Sequence, residues 1–258
     1  MSEVIYSQTD AIARITLNRP EQKNTVSATM RSELIRLFDQ VNEDTSVRAV
    51  VLEAAGDTFC AGGDVSQMGK LSSFDDRKRI LLHSHGLIKS LYRLEKPVIA
   101  AVQGAAVGMG FSLVLACDFV IASESARFST IFSRRGLAPD TGSAYMLSRA
   151  VSPMKARDLL YSGRFVGAQE ALALDLVTEV VPEALLKQSV DALAEKYAAM
   201  PTLSVAMSKK LLQWSQEPAL DSFLNYEAFI QPLMRTTEDF QEGVASFREK
   251  RSPEFKGR

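Results

Sequence analysis

The segment Val98–Ser123, VIAAVQGAAVGMGFSLVLACDFVIAS, constrains this chain more than any other. A β-branched run, Val98–Val102, follows Pro97. Gly104, Gly108 and Gly110 come next, then an apolar stretch, Phe111–Cys117, whose one polar member is Ser112. Asp118 separates it from a second apolar run, Phe119–Ala122. The pattern predicts strand, glycine turn, buried helix, strand. Glycines at a helix start let a ligand come close to the backbone, and the helix N-terminus offers free N–H groups and a positive dipole end. Such a place suits an anion, either a bound phosphate or an oxyanion that forms during reaction.

Three other readings compete. The segment is near the ~20 apolar residues that span a bilayer, but three glycines, Gln103 and Asp118 interrupt it. Gly104, Gly108 and Gly110, with Tyr92 and Lys96, mimic the glycine turn and catalytic pair of short-chain dehydrogenases. There the glycines follow the first strand and the pair comes after them, the reverse of the order here. The third reading is a buried βαβ core with no site at all.

A second glycine turn favours a site. Asp57–Asp64, DTFCAGGD, follows the apolar run Ala49–Leu52, and Asp64 is placed to cap a short helix from Val65. Two strand-end turns of this kind can set two backbone N–H groups on one carbonyl oxygen. Backbone donors need no particular side chain, so small residues are what that chemistry asks for.

FCAGGDVSQM at Phe59–Met68, followed by KPVIAAVQGAAVGMGFSLVLACD at Lys96–Asp118, resembles the crotonase superfamily, the enoyl-CoA hydratase/isomerase group. Leu17–Val26 resembles that family's N-terminal loop, Ala126–Gly142 its active-site segment, and Glu238–Arg258 its C-terminal helix and end. The match runs in order over almost the whole chain. The alternation of strands and helices by itself predicts an α/β fold; the resemblance implies a spiral of ββα units over residues 1–200 and a helical oligomerisation region over 201–258. It also implies a trimer or dimer of trimers.

The resemblance assigns roles. Gly63 and Met109 would donate their amides to a thioester oxygen, and Asp140 would act as base. The active-site loop is similar to those of phenylacetate-pathway and dienoyl-CoA isomerases, which place an aspartate there. It is also similar to the 4-chlorobenzoyl-CoA dehalogenase loop, which uses this position for its nucleophile. The residues alone allow the plainer reading that Asp140 caps a helix beginning at Thr141. Substrate contacts would fall on Lys23, Ala61, Gly63, Asp64, Val65, Ser66, Gly108, Met109 and Ser112, with Phe255 and Lys256 covering the CoA. Coenzyme A is then part of the substrate, and no separate cofactor is expected.

The departures from the family matter as much. Typical enoyl-CoA hydratases carry two glutamates where this chain has Ser112 and Phe132. Hydration needs two acid–base groups, one to activate water and one to protonate carbon. Their loss points to a one-base reaction, a proton carried across an allylic system by Asp140, with Phe132 shaping an apolar acyl pocket. Divergent hydration, dehalogenase-like hydrolysis, decarboxylation, and CoA-thioester binding without catalysis stand as alternatives.

Elsewhere, Ser27 is placed to cap a helix running to about Val41, and Phe74–Leu94 reads as one helix carrying both histidines. At ~100° per residue His83 and His85 point ~200° apart, which suits no shared metal. His85 stands where the dehalogenase carries a functional histidine. The net charge of −1 gives no footprint for nucleic acid or a membrane surface. Cys60 and Cys117, both in apolar settings, fit reduced thiols of a cytoplasmic protein. Beyond Pro218 the apolar residues Phe223, Tyr226, Phe229, Ile230, Leu233, Met234 and Phe240 predict a helical surface that wants a partner.

Overall fold

The computed structural model describes residues 2–64, 73–215, 224 and 230–258, with residues 73, 74 and 76 by backbone alone. Val65, Ser66 and the helix expected after Asp64 lie outside the described residues, as do Phe223, Tyr226 and Phe229.

A hairpin begins the chain. β1 (Val4–Thr9) and β2 (Ile12–Leu17) pair antiparallel, from Val4 opposite Leu17 to Thr9 opposite Ile12. α1 (Ala28–Glu43) follows, and the Ser27 hydroxyl accepts the Met30 amide as its cap. This is the cap expected from sequence. β3 (Ala49–Ala54), β4 (Val98–Val102), β6 (Phe119–Ser123) and β9 (Glu179–Val181) then join β2 in parallel, giving the order β1-β2-β3-β4-β6-β9. A second sheet joins β5 (Ala105–Val107), β7 (Arg127–Ser129) and β8 (Val166–Gly167).

Parallel strands covered on both faces read as continuous apolar runs, and every residue of β4 is buried. The strand period of two divides them. Val50, Leu52, Val98, Ala100 and Val102 enter the main core with the buried face of α1. Val51, Ile99, Ala101 and Ile121 meet Leu186, Val190 and Ala194 of a later helix, Leu186–Ala198, on the other face.

The helices after β3 correct one expectation. Phe74–Leu94 is not a single α-helix. It runs as α2 (Ser73–Arg79), a π-helical turn at Ile80–Ser84, and α3 (His85–Tyr92). The π turn breaks the regular 100° spacing assumed for the histidines. His83 is exposed and His85 half-buried, and no three metal-capable side chains cluster among the described residues.

α4 (Met109–Leu115) follows β5, and α5 (Ser143–Ala150), α6 (Pro153–Ser162) and α7 (Ala168–Ala173) lie between the two sheets' later strands in the chain. α8 is Leu186–Ala198 and α9 is Thr202–Trp214. α9 turns Thr202, Ala206 and Lys209 inward and leaves Leu212 outside. The Lys209 ammonium donates to the Asp118 carboxylate at 2.7 Å, and that carboxylate also accepts the Val98 amide at 2.8 Å, so one aspartate ties α9 to the start of β4. α10 (Glu238–Glu249) is capped by Thr237. Among the described residues no helix is long and apolar enough to cross a membrane.

The turn after β3 is sewn into the second sheet. Cys60 bridges Ala106 in parallel, its amide donating to Ala105 and its carbonyl accepting from Val107, both at 2.9 Å. Such close approach requires glycine in the first turn of α4. A Cβ at Gly110 would fall on the Cys60 carbonyl oxygen, 2.7 Å from the Cys60 Cβ and 3.0 Å from its carbonyl carbon. Gly110→Ala is therefore expected to cost ~2–4 kcal/mol as the backbones are forced apart. Gly167→Ala, with nothing within 4 Å of the added carbon, should change stability by less than about 1 kcal/mol. Urea midpoints of the two variants check this.

Candidate active site

Three loops meet at the ends of the strands. Asn24, fully buried with φ 51°, holds two of them. Its side-chain amide donates to the Ala55 and Thr58 carbonyls at 2.8 and 2.7 Å, and its carbonyl oxygen accepts the Arg19 amide at 2.7 Å. The Ala61 amide donates to Lys23, Val26 donates to Gly62, and Asp64 donates back to Val26. Lys23, Ala61 and Asp64 thus lie together. Asn24 went unremarked in the sequence because a buried asparagine looks like any loop asparagine until its three partners are known.

This stitching decides where the Gly63 amide points. In a parallel bridge the residues flanking Gly63 bond Val26, so Gly63's own N–H faces the other side. Met109 follows Gly108, whose amide donates to the Ser129 carbonyl at 2.8 Å. Gly108 has φ 55° and ψ −117°, a conformation open to glycine and barred to most side chains. Among the described residues neither the Gly63 nor the Met109 amide has a hydrogen-bond partner. The two turns are neighbours: a Cβ at Gly63 would lie 3.9 Å from the Met109 Cε. α4 has only two turns, so its dipole is weak and the amides themselves carry any stabilisation of an anion.

Ser112 is fully buried one turn into α4. It donates to the Gly108 carbonyl at 3.2 Å and accepts the Thr141 hydroxyl at 2.7 Å. Phe132 is buried as well, with its ring tip 3.8 Å from where a Gly108 Cβ would stand. Ser112, Phe132, Gly108 and the residue next to Asp140 therefore form one wall.

Asp140 does not cap a helix, which corrects that expectation. α5 begins at Ser143, and its N-cap is Gly142 with φ 73° and no side-chain cap. The Asp140 backbone carbonyl takes the Ser143 amide and hydroxyl, and its carboxylate turns elsewhere. Between Asp140 and that cap stands Thr141, a β-branched residue held at φ 50°, where such residues are rarely found. Ile131 at the other end of the loop has φ 42°. Two strained residues bracket the loop, a pattern concentrated at functional sites.

Burial pushes the half-buried Asp140 carboxyl above its ordinary value, while a hydrogen bond with Thr141 and the charges of His85, Arg79 and Arg31 pull it back. His85 is thus brought to Asp140, through packing of α3 on α1 and on the loop. Ile35 lies 3.5 Å from a Cβ at Gly86, and Ile88 lies 3.5 Å from one at Gly142.

The structure does not bring Phe255 and Lys256 to this place within the chain. The Phe255 carbonyl accepts from Arg48, and the amides of Lys256 and Gly257 donate to the Asp239 carboxylate at 2.6 and 2.7 Å. Arg31 joined the site without being foreseen, because a charged residue beside Met30 and Leu34 reads as the edge of an apolar face.

Two unbonded turn amides beside a shielded carboxylate are an arrangement able to hold a carbonyl oxygen as it gathers charge. The family model for enoyl-CoA hydratase/isomerase matches residues 7–258. The chain is 34% identical to 1,2-epoxyphenylacetyl-CoA isomerase of Escherichia coli (strain K12), over all of both chains. It is 34% identical to 2,3-dehydroadipyl-CoA hydratase of the same organism, again over all of both. An enoyl-CoA hydratase crystal structure from Bacillus anthracis superposes with a TM-score of 0.93 at 33% identity, covering 99% of this chain and all of that one. This chain belongs to the enoyl-CoA hydratase/isomerase family, and its fold is the crotonase fold.

The state of Asp140 has a consequence for stability. Its folded carboxyl holds a proton to higher pH than the unfolded one, so the folded state binds more protons in that interval and stability falls as pH rises through it. Above the interval the native state carries an under-solvated charge. Asp140→Asn should therefore raise Tm at neutral pH by roughly 1–3 °C, and the gain should vanish at low pH. Calorimetric scans at several pH values decide it.

Proposed function

We propose that this enzyme moves a double bond along the acyl chain of an enoyl-CoA thioester, with Asp140 as the proton carrier. The thioester oxygen accepts hydrogen bonds from the Gly63 and Met109 amides. Asp140 takes a proton from Cα of a 3-enoyl thioester, the electrons spread over a dienolate whose negative oxygen faces the two amides, and Asp140 returns the proton at Cγ. Atoms and charge balance, and neither water nor a further cofactor enters. Two preorganised donors in a dry site stabilise such an oxygen by ~3 kcal/mol each. Lys23, Ala61, Asp64, Val65 and Ser66 are assigned to the CoA portion of the substrate.

The observation that carries this reading is the environment of the wall. Ser112 spends its hydroxyl on Gly108 and Thr141, and Phe132 closes on Gly108, so neither supplies an acid or base. Asp140, with burial raising its proton affinity toward the working range, suits a base that must also give its proton back. Hydration is the second reading, supported by relatives named as hydratases. It requires a second proton-transfer group that Ser112 and Phe132 do not provide.

We also assign residues 201–258 to oligomerisation, as a trimer or a dimer of trimers. Exposed Leu212, Leu233, Phe240 and Phe247 support this.

Incubation of 3-enoyl-CoA thioesters is expected to give the 2-enoyl product, seen as a rise in conjugated-thioester absorbance, with deuterium from heavy water entering only as far as Asp140 exchanges before it returns the proton. Asp140→Asn should lower kcat by ~10²–10⁴-fold while acyl-CoA still binds. Unchanged turnover in that variant removes Asp140 from the mechanism. The base must be ionised, so kcat/KM should fall as pH drops, with its acid limb above the ordinary aspartate value of 3.8.

A further inference from the structure

A buried N–H with no acceptor is costly, because it loses water and gains no hydrogen bond. The Nε of Arg31 is in that position. Arg31 lies on α1 between Met30 and Leu34, is 7% exposed, and its Nε has no hydrogen-bond partner. Its charged surroundings are Arg79, which repels it, and the Asp140 carboxylate, which attracts it. Arg79 ends α2, His85 begins α3, and both act with Arg31 on the Asp140 carboxylate. The packing contacts place these groups on one wall: Ile35 of α1, one turn beyond Arg31, meets α3 beside His85, and α3 meets the loop beside Asp140.

If Arg31 served only to neutralise Asp140, the two would share a charge-assisted hydrogen bond, which forms at about 2.7–2.9 Å. Arg31 has no such bond to Asp140 or to any other residue. A hydrocarbon acyl chain offers nothing that the unbonded Nε of a cation beside Asp140 could bond. A carboxylate on the acyl group offers an acceptor, since a guanidinium fork matches two carboxylate oxygens in one plane.

We propose that Arg31 receives a second carboxylate borne by the acyl chain, so that the substrates are monothioesters of unsaturated dicarboxylic acids. This rests on the acyl-site assignment above, but on recognition and not on the reaction. Arg31 is then a specificity residue. The carboxylate supplies the missing acceptor, and Asp140 stands between the anchored acid and the thioester, beside the carbons that exchange protons.

The test uses two unreactive saturated thioesters, hexanedioyl-CoA and hexanoyl-CoA, with binding to the full chain measured by calorimetry. The dicarboxylic thioester is expected to bind ~10- to 100-fold more tightly, as a hydrogen-bonded charge pair provides. In Arg31→Met the ratio of the two dissociation constants should fall toward one. If that variant does not fold, Arg31→Lys carries the test, since it keeps the charge and loses the fork, and its ratio must also drop. Wild-type constants within two-fold of each other overturn the proposal, as does an Arg31 variant that keeps the wild-type ratio. Binding of neither thioester overturns the proposal together with the acyl-site assignment. A preference for the dicarboxylic thioester without conversion of 3-enoyl to 2-enoyl thioester supports the recognition and refutes only the isomerisation.

Discussion

The two hydrogen bonds that Cys60 makes to Ala105 and Val107 hold the site together. They bind the turn after β3 to the strand leading into α4, so two segments distant in sequence present adjacent, unbonded amides. The contact tolerates no side chain at Gly110 and leaves Cys60 sealed in. Burial pushes that thiol up to about 12, which makes it a packing residue and not a nucleophile. Strands alone would place these turns at the same edge of the sheet. The bridge sets their spacing, and an oxyanion site depends on spacing at the scale of a hydrogen bond.

A second constraint acts on the carboxylate. Thr141 and Ile131 occupy left-handed conformations that β-branched residues avoid, and the loop between them stays put because Thr141 is tied through Ser112 to Gly108. The same wall that carries the Met109 amide thus positions Asp140. The protein retains an under-solvated acid and, in Arg31, an under-solvated cation that Arg79 repels, only partly offset by the attraction of the two for each other. Such concentrations of unfavourable electrostatics mark places where function has overridden packing.

Some of this was legible from the residues. β-branched runs gave the buried parallel strands, Ser27 announced the start of α1, and the two glycine turns pointed to paired amides. The misreadings have physical causes. Asp140 looked like a cap because Asp before a helix usually is one, but Gly142 can adopt the left-handed turn alone and so frees the side chain. The π turn in Phe74–Leu94 leaves no signature in the spacing of apolar residues. Arg31 was overlooked because nothing in a sequence says whether an arginine beside an apolar stripe reaches water.

By itself the sequence determined the alternation of strand and helix, the small residues at both turns, and the absence of glutamates at positions 112 and 132. These are local properties, set by backbone preference and side-chain chemistry, and they suffice to identify the family. Only the tertiary structure decided that Asp140 is shielded, that Ser112 is fully engaged, and that an arginine of α1 with a buried, unbonded Nε acts on the same carboxylate. Solvation is the reason. Whether a charged group is hydrated, paired or stranded depends on every element packed around it, and those elements come from four separate parts of the chain.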